Sequence, residues 1–216
     1  MVESATTRII IDTSSDFRQQ MLHHRVAWID AVVFTHHHFD HIGGFDDIRG
    51  FNFTMQRAIP VYLMQETFDN LRRTFLYAFE DLGQRGGGVP VVEVNIIDAE
   101  PFTIGDITII PIPMMHGTMR VNGYRIGDFS YCTDTNFIPH TSEELLHGTE
   151  ILILDALRYH QHPTHFTVEQ AIEAAQRIAP RETYFTHIAH NILHADLSAR
   201  LPNGIFLATD GMEFEA

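Results

Sequence analysis

Short all-apolar blocks recur along the chain, separated by stretches with helical or turn spacing, and the alternation predicts an α/β protein. Ala31-Val32-Val33-Phe34 and Ile151-Leu152-Ile153-Leu154 are uninterrupted apolar runs of strand length, the pattern of strands buried on both faces. Further strands are predicted at 8–11, 60–63, 91–97, 107–112, 183–186 and 204–207, with Pro111 and Pro113 breaking the one at 107–112. Gly127-Asp128 lies between apolar runs at 123–126 and 129–133 and predicts a hairpin. Helices are predicted over 16–22 with Ser14 and Ser15 as caps, as a short helix continuing through 46–49, over 66–80, from the capping box Thr167-x-x-Gln170 to Ile178, and near 195–200. In the 66–80 helix Phe68, Leu71, Phe75, Leu76 and Phe79 fall on one side, which is most simply a core-facing stripe. Gly83-Gln84-Arg85-Gly86-Gly87-Gly88 reads as a surface loop. Without repeats, low-complexity tracts or a charged linker, residues 1–216 read as a single domain.

The polar residues gather where these apolar strands end. The run at 31–34 leads into Thr35-His36-His37-His38-Phe39-Asp40-His41-Ile42-Gly43-Gly44, whose spacing is His36-x-His38-x-Asp40-His41. Imidazole and carboxylate donors in this mixture suit a borderline or hard divalent ion such as zinc, manganese or iron. On extended backbone His36 and His38 point the same way and His37 the other, and Gly43-Gly44 would let the chain turn tightly behind them. His116 follows the 107–112 strand, Asp134 follows Tyr131-Cys132-Thr133, and His187 follows Tyr184-Phe185-Thr186. Four ligand-bearing segments therefore sit just past strand ends, where loops of α/β proteins converge on one rim. Asp12 also ends a strand and could accept the second N–H of a ligating histidine. Asp155 reads either as such a partner or as a strand-end cap. His23, His24, His140, His147 and His160 read as surface residues.

Composition narrows the chemistry. All 14 basic residues are arginine, so Schiff-base chemistry and a catalytic lysine are excluded. The net charge of −14 counts against a nucleic-acid groove, while bound dications would leave room for a small anionic substrate. One cysteine, Cys132, allows no internal disulfide, and with no signal peptide and no apolar run of membrane-spanning length the chain is expected to be cytoplasmic.

His-x-His-x-Asp-His after a hydrophobic strand resembles the signature of the metallo-β-lactamase-fold hydrolases. The segments 11–18, 44–49, 154–158 and 186–190, among them Leu154-Asp155-Ala156-Leu157-Arg158 and Thr186-His187-Ile188-Ala189-His190, are similar to the subgroup of phosphoribosyl 1,2-cyclic phosphate phosphodiesterases of phosphonate breakdown. The resemblance runs across nearly the whole chain. It implies a four-layer αβ/βα sandwich, starting here at what would be the family's second strand, without the cysteines that hold a structural zinc in that subgroup. It further implies two divalent ions, Mn2+ or Zn2+ with Fe as a third choice. One would be held by His36, His38 and His116 and the other by Asp40, His41 and His187, with Asp134 bridging. A water between such ions would be acidified toward neutrality and attack phosphorus. Asp40, Asp134 and His165 are the catalytic candidates, His165 matching a family histidine that assists the leaving group. His165 and His190 are the substrate-binding candidates, and His162 stands beside them.

The expectation is thus a binuclear-metal-dependent hydrolase, a phosphodiesterase acting on a small and cyclic phosphate ester. A lactone or thioester hydrolase of the same fold and a non-catalytic metal-binding protein are the alternatives. No membrane partner is expected, nucleic acid is disfavoured, and a homodimer is left open.

Overall fold

The computed structural model describes residues 1–80 and 88–215. Of the glycine-rich loop expected at 83–88, all but Gly88 lies outside the described residues. The chain divides into two compact units, Met1–Ile107 and Thr108–Ala216.

The first unit is built on a five-stranded sheet of order β1-β2-β3-β4-β5, with β1 Val2–Glu3, β2 Arg8–Ile11, β3 Ala31–Val33, β4 Ile59–Leu63 and β5 Val92–Ile96. β1, which the sequence pattern does not reveal, pairs antiparallel with β2, and β2 to β5 are all parallel. Between the strands run helices α1 Phe17–His23, α2 Phe39–Ile42, α3 Ile48–Met55, α4 Gln65–Thr74 and α5 Leu76–Phe79. Parallel pairing sets the carboxyl ends of β2 and β3 side by side: Ile11 is opposite Val33, and the Asp12 N–H donates to the Val33 carbonyl at 2.9 Å. The histidine loop and Asp12 consequently leave the sheet together.

The core of this unit is aromatic. Phe45 is fully buried, with ring centroids of Phe75 and Phe79 at 5.0 and 5.7 Å and that of Phe34 at 6.4 Å. The stripe at 66–80 is therefore core, but not one helix. The chain breaks at Phe75 (φ −114°, ψ 47°), which leaves Leu76 42% exposed while Phe75 and Phe79 both reach Phe45. The helix at 16–22 is present, yet no side chain caps it; Ser14 contributes only its carbonyl, which accepts from the Phe17 N–H at 3.0 Å. The short helix predicted through 46–49 is present, opening as a 3-10 turn over Phe45–Asp47 and continuing as α3.

The second sheet has the order β12-β11-β10-β9-β8-β7-β6, with β6 Phe102–Ile104, β7 Ile107–His116, β8 Met119–Ile126, β9 Phe129–Cys132, β10 Ile151–Asp155, β11 Glu182–Thr186 and β12 Ile205–Leu207. Pro111 and Pro113 do not break β7. They share the parity of Met115, whose N–H and carbonyl bond Phe137 and Asn136 rather than β8, so neither proline removes a bond from the β7–β8 ladder. β8 and β9 form the predicted hairpin, with Gly127 at φ +58° in its turn. β9, β10, β11 and β12 are parallel, with Leu154 opposite Cys132 and Asp155 opposite Thr186. β7 runs the same way as β9 because two antiparallel pairings separate them. His116, Asp134, Asp155 and His187 therefore all emerge at one end of this sheet. Helices α6 His140–Leu146, α7 Val168–Ile178 and α8 His194–Ser198 complete the unit. α7 opens with both bonds of the predicted capping box, and its buried Ala171, Ala174, Ala175 and Ile178 belong to one core with Leu152, Leu154 and Phe185. No helix among the described residues is long and apolar enough to cross a membrane.

Truncation at the aromatic centre of the first unit, Phe45→Ala, is expected to lower stability by about 3–5 kcal/mol. Urea unfolding of the variant measures it, and a loss under about 1 kcal/mol would mean that the neighbouring rings collapse into the space.

Candidate metal centre

In the first unit, one carboxylate organises the histidine loop. Asp12 is buried and takes three hydrogen bonds: from the Thr35 N–H at 2.8 Å, from the Thr35 hydroxyl at 2.7 Å, and from His41 Nδ1 at 2.8 Å. The hydroxyl has only one proton, and it is directed to Asp12. At 3.0 Å from His36 Nδ1, the same oxygen must then accept, so His36 as well as His41 carries its proton on Nδ1. Both rings keep Nε2 for a ligand, and the sequence expectation for Asp12 is met on His41. The His36 ring lies 4.7 Å from that of His38 and 4.1 Å from that of His41. Asp40 is exposed, with Oδ2 3.6 Å from His41 Nε2.

Gly43 and Gly44 serve the loop differently from the tight turn predicted. Gly43 caps α2 at φ −60° and Gly44 has φ −91°, values open to any residue. What excludes a side chain is space. A Cβ on Gly44 would lie 2.5 Å from the Ser14 carbonyl oxygen and 2.6 Å from the Phe17 Cβ; one on Gly43 would lie 2.7 Å from the Phe39 carbonyl oxygen.

In the second unit, donor atoms of Asp134, His165 and His187 all lie within 4.8 Å of one another. Asp134 is buried, takes the Thr133 hydroxyl on Oδ1 at 2.7 Å, and has His187 Nδ1 at 3.8 Å. His116 ends β7, and its Nδ1–H donates to the Thr164 carbonyl at 2.7 Å, again leaving Nε2 for a ligand. Burial lowers the His116 pKa, which favours the neutral ring that binds metals.

His165, expected near the substrate, is buried rather than a water-exposed helix-entry residue. Its ring is 4.5 Å from His116, 4.8 Å from His187 and 5.0 Å from His162. Asp155, at the end of β10, has a partner on each carboxylate oxygen. Its Oδ1 accepts the Thr135 N–H at 2.9 Å, which secures the turn after Asp134, and its Oδ2 faces His165 Nδ1 at 3.3 Å. Burial pushes the Asp155 carboxyl well above the usual range, against the lowering effect of the Thr135 N–H.

His190 is exposed, three residues past His187. His23, His24, His140, His147 and His160 are exposed, as expected. Thr35 and the Thr164 carbonyl, which fix two candidate ligands, escape sequence reasoning; neither carries a spacing signal.

Backbone strain marks the same positions. Asp12, Asp134 and His187 have φ of 59°, 57° and 57° at or just beyond the ends of β2, β9 and β11. Left-handed backbone on non-glycine residues costs on the order of 1 kcal/mol each and gathers at functional sites.

Imidazole nitrogens and carboxylate oxygens, several oriented through Nδ1, fit a borderline divalent ion. The comparisons agree. Residues 7–188 match the family described as the beta-lactamase superfamily domain. The chain belongs to this family and has the metallo-β-lactamase fold, the α/β fold with two sheets expected from the sequence. Within the fold its likeness is to the PhnP type. It is 38% identical to a diphosphatase from the PhnP family, covering 99% of this chain and 82% of that one with a TM-score of 0.90. The fold extends to YhfI of Bacillus subtilis, at 20% identity and a TM-score of 0.75 over 97% of this chain and 87% of that one. The chain is also 36% identical, over 99% of its length, to an octanoyltransferase of Porphyromonas gingivalis, and spans 43% of that longer protein.

Asp12→Asn would place an amide N–H against a ring nitrogen that now donates or against the Thr35 hydroxyl. Zinc affinity is expected to fall about 10–100-fold, as for other partners of metal-bound histidine. Equilibrium dialysis reads this directly; unchanged affinity would mean that the Asp12–His41 bond does not orient a ligand.

Proposed function

We propose that this chain is a binuclear-metal phosphodiesterase acting on a small, cyclic phosphate ester, its two units working as one domain. The reading is supported by the 38% identity to a PhnP-family diphosphatase over 99% of the chain, beside a cluster of possible metal donors at Asp134, His165 and His187. His36, His38 and His116 would hold one ion, Asp40, His41 and His187 the other, and Asp134 both. Manganese or zinc suits these donors, with iron a third choice. Bound there, the ions would acidify a water and neutralise charge growing on the phosphoryl oxygens.

The remaining work falls to side chains. Asp12 and Thr35 keep the His36 and His41 rings turned with Nε2 outward. Asp155, facing Nδ1 of His165, would stabilise that ring while Nε2 gives its proton to the leaving alkoxide or holds a phosphate oxygen. Exposed His190 would meet the outer part of the substrate.

The name of the Porphyromonas protein favours a second reading, acyl chemistry on a lactone or thioester. Metal-assisted attack serves acyl carbon as well as phosphorus. A covalent acyl-cysteine route has no support in this chain: Cys132 is fully buried, and burial pushes its thiol pKa up.

Side-by-side assay at matched metal load separates the readings. Bis-p-nitrophenyl phosphate and a phosphoribosyl cyclic phosphate are expected to be hydrolysed faster than an acyl-lactone or an octanoyl thioester. Turnover confined to the acyl substrates would overturn the phosphodiesterase. Two ions per chain with no hydrolysis of any ester would instead support a non-catalytic metal protein. Asp134→Ala is expected to lose turnover and metal stoichiometry together, by metal analysis and rate on the same sample; an active variant would remove Asp134 from the bridging role.

A further inference from the structure

Three segments of the second unit meet at Asn136, a residue outside the candidate ligand set. Its Oδ1 accepts the Gly117 N–H at 2.7 Å, and its Nδ2 donates to the Pro163 carbonyl at 3.1 Å. One partner is a donor and the other an acceptor, so the orientation of the amide is fixed by its bonds. Gly117 follows His116 in the turn from β7 to β8, and Pro163 precedes Thr164, whose carbonyl receives the His116 Nδ1–H at 2.7 Å. The two strands of chain that Asn136 ties together are thus the one that carries His116 and the one that sets its tautomer. They already lie close: Gly117 has φ +67°, and a Cβ there would come within 2.8 Å of Thr164 Cγ2. Asn136 itself is placed by the bonds that Met115 makes, the Asn136 N–H donating to the Met115 carbonyl at 3.0 Å.

We propose that Asn136 is a positioning residue for metal binding: by holding the Pro163-Thr164 peptide against the His116 turn, it keeps His116 protonated on Nδ1 and its Nε2 available to the ion. The proposal rests on the metal-hydrolase reading for its consequence, but the geometry it describes can be measured without metal. Asn136 touches neither ion nor substrate and acts through the Thr164 carbonyl. Without the tie to Pro163, the segment keeps the Phe166 N–H bond to the Thr135 carbonyl and the contacts of Thr164 with His162, but the Thr164 carbonyl is held less closely to the ring, and His116 can shift its proton to Nε2, which removes the ligand lone pair.

Two substitutions separate this role from a general loop tie. Asn136→Asp keeps an acceptor for the Gly117 N–H but sets a carboxylate oxygen against the Pro163 carbonyl. Asn136→Ala removes both bonds. The tautomer of His116 is read from two-bond nitrogen–proton couplings in the metal-free protein, assigned by the signal that disappears in His116→Gln. Zinc affinity is read by competition with a chromophoric chelator. Both Asn136 variants are expected to lose the Nδ1-protonated His116 signal and to weaken one of the two zinc sites about 10–100-fold, with the other unchanged. If Asn136→Asp keeps the wild-type tautomer and affinity while Asn136→Ala does not, only the Gly117 bond matters and the proposal is wrong. If both keep them, it is likewise wrong. A wild-type chain that binds no zinc would sink the metal-hydrolase reading instead, while the tautomer signal would still decide whether Asn136 controls His116.

Discussion

A neutral imidazole can ligate a cation only through the nitrogen that carries no proton, so each candidate ligand must have its tautomer chosen before any ion arrives. In this protein the choice is made on Nδ1 by three different acceptors: a carboxylate for His41, a threonine hydroxyl for His36 and a backbone carbonyl for His116. The first two are coupled, since the Thr35 hydroxyl accepts from His36 only because Asp12 has taken its proton. One buried carboxylate therefore sets two rings. Its own cost of burial is offset by three hydrogen bonds, and their loss would leave a charge with no solvent to turn to.

Backbone geometry supports the same arrangement. Asp12, Asp134 and His187 adopt left-handed conformations at or just beyond a strand end, which turns the chain sharply as it leaves the sheet. The strands that carry these residues pair with rigid neighbours: β2 lies against β3, and β9 and β11 lie against β10, and both β3 and β10 are buried along their whole length. Unusual dihedrals at the edge of a stiff sheet persist where the same dihedrals in a free loop would relax.

Much of this was legible in the chain because strand and ligand signals are local. Apolar runs marked β3 and β10, Thr167 and Gln170 marked the start of α7, and His36-x-His38-x-Asp40-His41 marked the loop without reference to anything distant. Misreadings occurred where a long-range contact decides a local feature. Pro111 and Pro113 look like breakers until the ladder shows that their nitrogens face away from β8. The 66–80 helix looks continuous until Phe45 draws Phe75 and Phe79 onto itself and Leu76 is turned out. Gly43-Gly44 looks like a turn, whereas Gly44 is small because Ser14 and Phe17 occupy the space a side chain would need. The burial of His165 and its bond to Asp155 depend on where two segments ten residues apart come to rest, and no spacing rule reports that.

Charge ties these features to the substrate class. A chain of net charge −14 with no lysine repels anions at long range, and several of its arginines are engaged in surface pairs, among them Arg8 with Glu3, Arg57 with Asp30 and Arg177 with Glu143. Attraction for a phosphate ester must then be generated locally, over distances shorter than the screening length of about 8 Å at physiological salt. Divalent ions, bound as proposed by neutral imidazoles, would provide such a field, because neutral ligands leave most of the ionic charge uncompensated. Burial lowers the His116 pKa, so as a ligand in the proposed site it would contribute donor capacity without cancelling that charge, whereas Asp40 and Asp134 would subtract from it. An acyl substrate without a phosphate would gain little from such a field in binding, whereas a small phosphate ester would be drawn to the proposed ions.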